Sequence, residues 1–219
     1  MYNRILTKID LEDGISYINS MSYDVNYEHE LWHKDDAILK WTAILKSIES
    51  FDIKKSKIVD LGCGDSKIAP ILRDLGNTLT GIDLDKRANG INDGDINIII
   101  GDAVEVLKNM ETDSVDVFYD SCSVTHFYTE AVDDIPNIGW HKISGEISRI
   151  LKPRGLFIVA SDCRVNVGSG EFISPRQMID IMEKNNLKLS SEYQDSDERY
   201  SFEYRGEMCV VSLSFLNHK

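Results

Sequence analysis

Lys57-Ile58-Val59-Asp60-Leu61-Gly62-Cys63-Gly64-Asp65-Ser66 carries the clearest structural signal in the chain. Lys57 to Leu61 reads as a short buried strand that runs into a glycine turn. Gly62 and Gly64 let the backbone turn tightly and come close to a ligand. Beyond them Ile68, Ile71, Leu72 and Leu75 recur at helical spacing, and Gly76 stops the helix. Strand, glycine turn and helix in that order open a βαβ unit.

The same alternation continues. Thr78 to Ile82 and Ile96 to Ile100 read as strands, Ala103 to Met110 as a helix, and Val115 to Tyr119 as a strand. Ile143, Ile147, Ile150 and Leu151 mark another helix, ended by Pro153 and Gly155. Leu156 to Ala160 is a further strand. Strands separated by helices are how a parallel sheet with crossover helices is written. After a helix over 175–184, Leu187 to Tyr193 and Met208 to Phe215 are two strands with no helix between, so they pair as an antiparallel hairpin at the sheet edge. Residues 1–50 read as helical, with Leu31, Ile38, Trp41, Leu45 and Ile48 on one face. They are too few for an independent domain and are expected to form a helical cap on a domain spanning 51–219.

The chain has 219 residues, enough for one well-buried core. Its net charge of −13, with no sustained run of Lys and Arg, opposes a nucleic-acid substrate, because phosphates need a basic surface. A neutral or cationic small molecule fits better. Cys63, Cys122, Cys163 and Cys209 lie far apart, with no CxxC pair and no His-rich segment. They are expected to be free thiols in a reducing cytosol, with no metal site. No stretch resembles a signal peptide or a membrane span, so a cytoplasmic monomer or homodimer is expected.

In an open parallel sheet, ligands bind beyond the carboxyl ends of the strands, near the point where strand order reverses. Asp60 to Asp65, Asp83 to Asp85, Gly101-Asp102, Asp120 to Thr125 and Ser161-Asp162 fall at those ends. Asp83 follows the glycine pair by about twenty residues, where nucleotide-binding folds place a carboxylate that accepts from a ribose diol. The dinucleotide fingerprint would need glycine at 67, where Lys67 stands. Asp65 also enters the turn where a pyrophosphate would sit, and like charges about 4 Å apart repel by roughly 1 kcal/mol even in bulk water. A ligand with a sulfonium, an ammonium and no phosphate suits the acidic ring, with Asp60 balancing the ammonium.

Val59-Asp60-Leu61-Gly62-Cys63-Gly64, Thr80-Gly81-Ile82-Asp83-Leu84-Asp85 and Gly101-Asp102-Ala103 resemble the successive cofactor motifs of class I S-adenosylmethionine-dependent methyltransferases. Leu151-Lys152-Pro153-Arg154-Gly155-Leu156 resembles the same family's turn into its fifth strand. The resemblance covers roughly 55–162, and Ser66 stands where the family often has a third glycine. It implies an α/β, Rossmann-like three-layer sandwich: a mostly parallel seven-stranded sheet with an antiparallel C-terminal hairpin strand and an N-terminal helical cap. It implies S-adenosylmethionine as cofactor and S-adenosylhomocysteine as product. By the same resemblance, Gly62, Cys63 and Gly64 line the cofactor, Asp102 reaches the adenine amino group, and Ala103 and Leu84 contact the adenosine. Asp120 and Ser121 complete the expected cofactor set.

Simpler roles compete with these. Asp65 and Asp102 precede helices and serve equally well as N-caps. Asp120 to Phe127 lies where an acceptor meets the cofactor in this family, and His126 within it is a candidate general base or a loop-packing residue. His29, Trp32, His33, Trp140 and His141 are further candidates for an acceptor pocket, whereas Tyr23, Tyr27 and Trp41 read as packing. The expected reaction is methylation of a small molecule, at a hydroxyl. Action on protein or RNA, and a non-catalytic cofactor-binding subunit, are the competing readings.

Overall fold

The computed structural model describes residues 3–21, 34–64, 67–86, 88, 95–127, 138–165, 172–196 and 208–219. Asp65 and Ser66, and the N-terminal positions Tyr23, Tyr27, His29, Leu31, Trp32 and His33, lie outside them. In chain order the elements are β1 (Arg4–Ile5), α1 (Lys8–Ser20), α2 (Lys34–Ser50), β2 (Lys57–Leu61), α3 (Ile68–Asp74), β3 (Thr78–Asp83), β4 (Ile96–Ile100), α4 (Ala103–Lys108) and β5 (Val115–Ser121). A 3₁₀ turn at Val124–His126 precedes α5 (Ile138–Ile150), β6 (Leu151–Arg164), α6 (Pro175–Glu183), β7 (Leu187–Leu189) and β8 (Met208–Asn217).

The sheet order is β1-β8-β6-β5-β2-β3-β4, with β7 also paired to β8. Strands β4, β3, β2, β5 and β6 are mutually parallel, and β8 runs antiparallel to β6. Strands β2 to β8 are the seven expected from the sequence. The eighth is β1, which pairs with β8 through Arg4↔Ser212 and Ile5↔Val211. Two residues are too short to show a period, which is why this strand was hidden in a segment read as helical. Strand order reverses between β2 and β5, so the glycine turn after β2 opens at the switch point.

Both faces of the sheet are covered, which explains why its strands read as continuous apolar runs rather than alternating ones. On β2, Val59 and Leu61 point into one core with α4, α5 and α6; Ile58 points into the other with α1, α2 and α3. On β5, Phe118 faces the first core while Val117 and Tyr119 face the second. Helix α2 is buried along most of its length, from Asp36 to Ile48, and shares its core with Tyr119, Ile158 and Val210.

Strand β6 departs from the expected start at Leu156. Val115 pairs with Leu151 and Val117 with Leu156, so Lys152-Pro153-Arg154-Gly155 bulges out of register inside the strand, with Arg154 at φ +64°. The buried Asn217 amide holds this bulge, donating to the carbonyls of Ser148 and Leu151 at 3.0 Å and of Lys152 at 3.3 Å. Asn217→Ala leaves those carbonyls without their donor and should lower stability by about 1–3 kcal/mol. Urea denaturation of the two proteins measures it; an unchanged midpoint would contradict the role.

Candidate active site

The glycine turn is held by strand β3. Gly62 and Cys63 N–H donate to the Ile82 carbonyl at 2.8 and 3.1 Å. Gly62 has φ +64° and Gly64 φ +48°, the left-handed region that glycine enters without penalty. A Cβ on Gly62 would also collide with the Ser123 side chain, so the turn is packed against the loop that follows β5. Cys63 fills the space over Gly81, where an added Cβ would stand 2.6 Å from its Sγ. Burial pushes the Cys63 thiol well above its ordinary range, reinforced by Asp60 and Asp83, so it remains a neutral packing group.

Asp83 ends β3 with its carboxylate fixed at both oxygens. Gly64 N–H donates to Oδ2 at 2.8 Å and Asp85 N–H to Oδ1 at 2.7 Å. Leu84, the next residue, is 70% exposed beside this carboxylate. Asp102 caps α4, its Oδ1 accepting from Val104 N–H at 2.8 Å and Glu105 N–H at 3.3 Å, with Ala103 buried behind it. The capping role considered for Asp102 is therefore present.

Two more carboxylates sit beneath the turn. Asp60 is buried and accepts from the Tyr119 hydroxyl at 2.5 Å across the β2–β5 pair, where the two residues are in register. Burial raises the Asp60 pKa well above the carboxylate range, and the nearby charges of Asp120 and Asp83 add to it. Asp120 is fully buried. Its Oδ1 accepts from the N–H groups of Ser123 and Val124, each at 3.0 Å. The Ser123 hydroxyl lies between that oxygen and the Leu61 carbonyl, tying the β5 loop to the glycine turn. Asp120 Oδ2 is buried with no hydrogen-bond partner among the described residues. Burial raises the Asp120 pKa, opposed by these hydrogen bonds.

The remaining expected residues follow on the β5 loop. Ser121 ends β5 half-buried, and His126 is exposed, its ring meeting Phe172 edge-on at 5.9 Å between centroids. Thr125 and Ser161 hydroxyls lie 2.8 Å apart, joining the loop to β6. Trp140 is fully buried in the core, tilted against Phe157 at 6.5 Å, so it packs and does not line a surface. His141 is exposed on α5. Among the described residues no group of three or more His, Cys, Asp or Glu is arranged to hold a metal.

Tyr119, Ser123 and Phe172 were not singled out from the sequence. Tyr119 lies inside an apolar run and only the register sets it opposite Asp60, while Ser123 looked like any polar loop residue. Its closeness to Gly62 depends on a contact between residues far apart in the chain.

These residues fit a cationic nucleoside. A buried carboxylate oxygen lacking a donor, two further carboxylates around the same turn, and an exposed leucine beside a fixed aspartate ask for positive charge and an apolar ring. Residues 59–159 match the model of the methyltransferase domain family. Over that segment the chain is similar to the methyltransferase domain, and its fold is the Rossmann-like fold of the class I S-adenosylmethionine-dependent methyltransferases. Among solved structures, the [4+2]-cyclase SpnF aligns with TM-score 0.67 at 13% identity, over 96% of this chain and 94% of its own. The 1,6-didemethyltoxoflavin-N1-methyltransferase of Burkholderia thailandensis, with bound 1,6-didemethyltoxoflavin and S-adenosylhomocysteine, aligns with TM-score 0.61 at 11% identity, over 96% and 88%. Geranyl diphosphate C-methyltransferase from Streptomyces coelicolor A3(2) aligns with TM-score 0.58 at 15% identity, over 95% and 98%. At these identities the alignments speak for the fold alone. No curated protein matches the sequence.

The buried carboxylates make the site pH-sensitive. Asp60 and Asp120 have folded pKa values above their unfolded value of about 3.9, so the folded chain holds the extra protons. Their contribution to stability is fully present below that value and is lost as pH rises through the folded pKa values. A cationic ligand favours the ionised forms and offsets the loss. Melting temperature without ligand should therefore fall from about pH 4 toward neutrality, and the rise produced by S-adenosylmethionine should grow over the same range. Thermal scans across pH test this; a ligand-induced rise that shrinks with pH would contradict it.

Proposed function

We propose that the protein transfers a methyl group from S-adenosylmethionine to the hydroxyl of a small-molecule acceptor. The observation that carries the reading is Asp83, whose carboxylate is fixed by Gly64 and Asp85 beside the exposed Leu84. In this reading Asp83 accepts from the ribose diol, Asp102 from the adenine amino group, and Leu84 and Ala103 flank the adenosine. Gly62, Cys63 and Gly64 line the cofactor with their backbone. Asp60 and Asp120 balance the ammonium, with Ser121 beside it. Bound there, S-adenosylmethionine would supply an electrophilic sulfonium methyl group for the acceptor oxygen, with S-adenosylhomocysteine as the leaving product. His126 takes the hydroxyl proton. The protein's part is to align the acceptor and exclude water.

The small-molecule acceptor is supported by charge. With a net charge of −13 and no basic run, RNA binding should be negligible at physiological salt. A gel-shift assay checks it, and micromolar, salt-sensitive RNA binding would overturn the substrate class. No helix among the described residues is long and apolar enough to cross a membrane. A monomer or homodimer working in the cytoplasm completes the reading. Transfer of labelled methyl from the cofactor into a metabolite pool, followed by identification of the labelled species, tests acceptor and hydroxyl chemistry together. A labelled amine or carbon would replace the hydroxyl assignment, and label only in protein or RNA would replace the small molecule.

A further inference from the structure

Lys40 is 1% exposed on α2, with its ammonium 2.7 Å from Asp36 and 2.9 Å from Asp162. Asp36 lies one helical turn away on α2 and Asp162 at the carboxyl end of β6; both are buried. Burial works against the Lys40 charge, but Asp162 and Asp36 outweigh it and hold the ammonium protonated. Stability alone does not account for such a cluster, because well-packed apolar residues of similar volume generally do as well or better.

Its contacts suggest another role. Asp162 N–H donates to Cys122 Sγ at 3.5 Å. Cys122 has φ +63°, a left-handed conformation that a residue with a Cβ keeps only where its surroundings enforce it. Ser161, adjacent to Asp162, meets Thr125 at 2.8 Å, and His126 is the next residue. A continuous set of contacts therefore runs from α2 to the end of β6 and into the β5 loop.

We propose that Asp36, Lys40 and Asp162 are positioning residues that fix the carboxyl end of β6 and, through Cys122 and Thr125, hold His126 toward the acceptor. The role rests on the methyltransferase reading of the site with His126 as base. The cluster acts through the loop, while the proposed ribose and adenine contacts come from β3 and the start of α4; of the proposed cofactor set, Asp120 and Ser121, at the end of β5, adjoin the loop.

The test uses the full chain carrying Asp36→Leu, Lys40→Met and Asp162→Leu together, which removes the charges without stranding one of them. The His126 ring resonances, the alkylation rate of Cys122 by iodoacetamide, and calorimetric affinity for S-adenosylhomocysteine are compared with the parent. The folded variant should show His126 resonances moved toward those of free imidazole and Cys122 alkylated about tenfold faster or more, as local opening exposes it. Affinity for S-adenosylhomocysteine should fall less than about tenfold, since the proposed ribose and adenine contacts at Asp83 and Asp102 lie outside the loop and additivity holds for sites without shared partners. Native His126 resonances with a protected Cys122 would overturn the proposal. If the triple variant does not fold, Thr125→Val with Ser161→Ala cuts the tether and leaves the charges in place. The His126 resonances should then move with cofactor affinity kept, and unmoved resonances overturn the proposal in this variant too. Failure of the parent itself to bind S-adenosylhomocysteine would instead count against the cofactor reading.

Discussion

Asp83→Ala is expected to weaken S-adenosylmethionine binding by about 1.5–3 kcal/mol, or roughly 10–150-fold, the usual worth of a hydrogen bond to a charged group. The effect has two sources in the geometry. The carboxylate that would accept from the ribose is lost, and so are the anchors it gives to Gly64 N–H and Asp85 N–H. Asp83→Asn separates them, since one oxygen remains to accept while the other position becomes a donor facing a donor. It should fall between the parent and the alanine variant. Calorimetry on the three proteins measures the series; an alanine variant with parental affinity would remove Asp83 from the site.

His126→Ala is expected to lower turnover by roughly 10²–10⁴-fold, the range for loss of a general base. A neutral imidazole carries a ring nitrogen lone pair that can take a hydroxyl proton. His126 is exposed, and its ring rests edge-on against Phe172. Cofactor affinity should hardly change, because the proposed ribose and adenine contacts come from Asp83 and Asp102. If His126 only packs the loop, the melting temperature falls while the folded fraction keeps near-normal turnover. Melting temperature, affinity and turnover with the identified acceptor, taken on one preparation, separate the two. Full activity in folded His126→Ala protein would remove the base.

The central sheet was legible because both its faces are buried. Ile58-Val59 on β2 and Leu156 to Ala160 on β6 had to be apolar runs, and Gly62 had to be glycine for the turn to close under Ser123. Asp83 was readable for a related reason: its distance from the glycine pair is set by one helix and one strand. What escaped the sequence depends on register and on distant contacts. Strand β1 has no period to show, and the Lys152–Gly155 bulge is held by Asn217, far along the chain. Tyr119 meets Asp60 only because β2 and β5 are neighbours in one particular alignment. Lys40 drew no notice in the sequence, since helical spacing sets it one turn from Asp36 but shows no partner on β6.

Titration of the purified chain with S-adenosylmethionine, S-adenosylhomocysteine and NADH in parallel tests the central claim most directly. Three carboxylates around a glycine turn, with Lys67 where the dinucleotide fingerprint needs glycine, predict one-to-one binding of both sulfur nucleosides and none of NADH. Tight binding of NADH, with no affinity for the sulfonium cofactor, would contradict it.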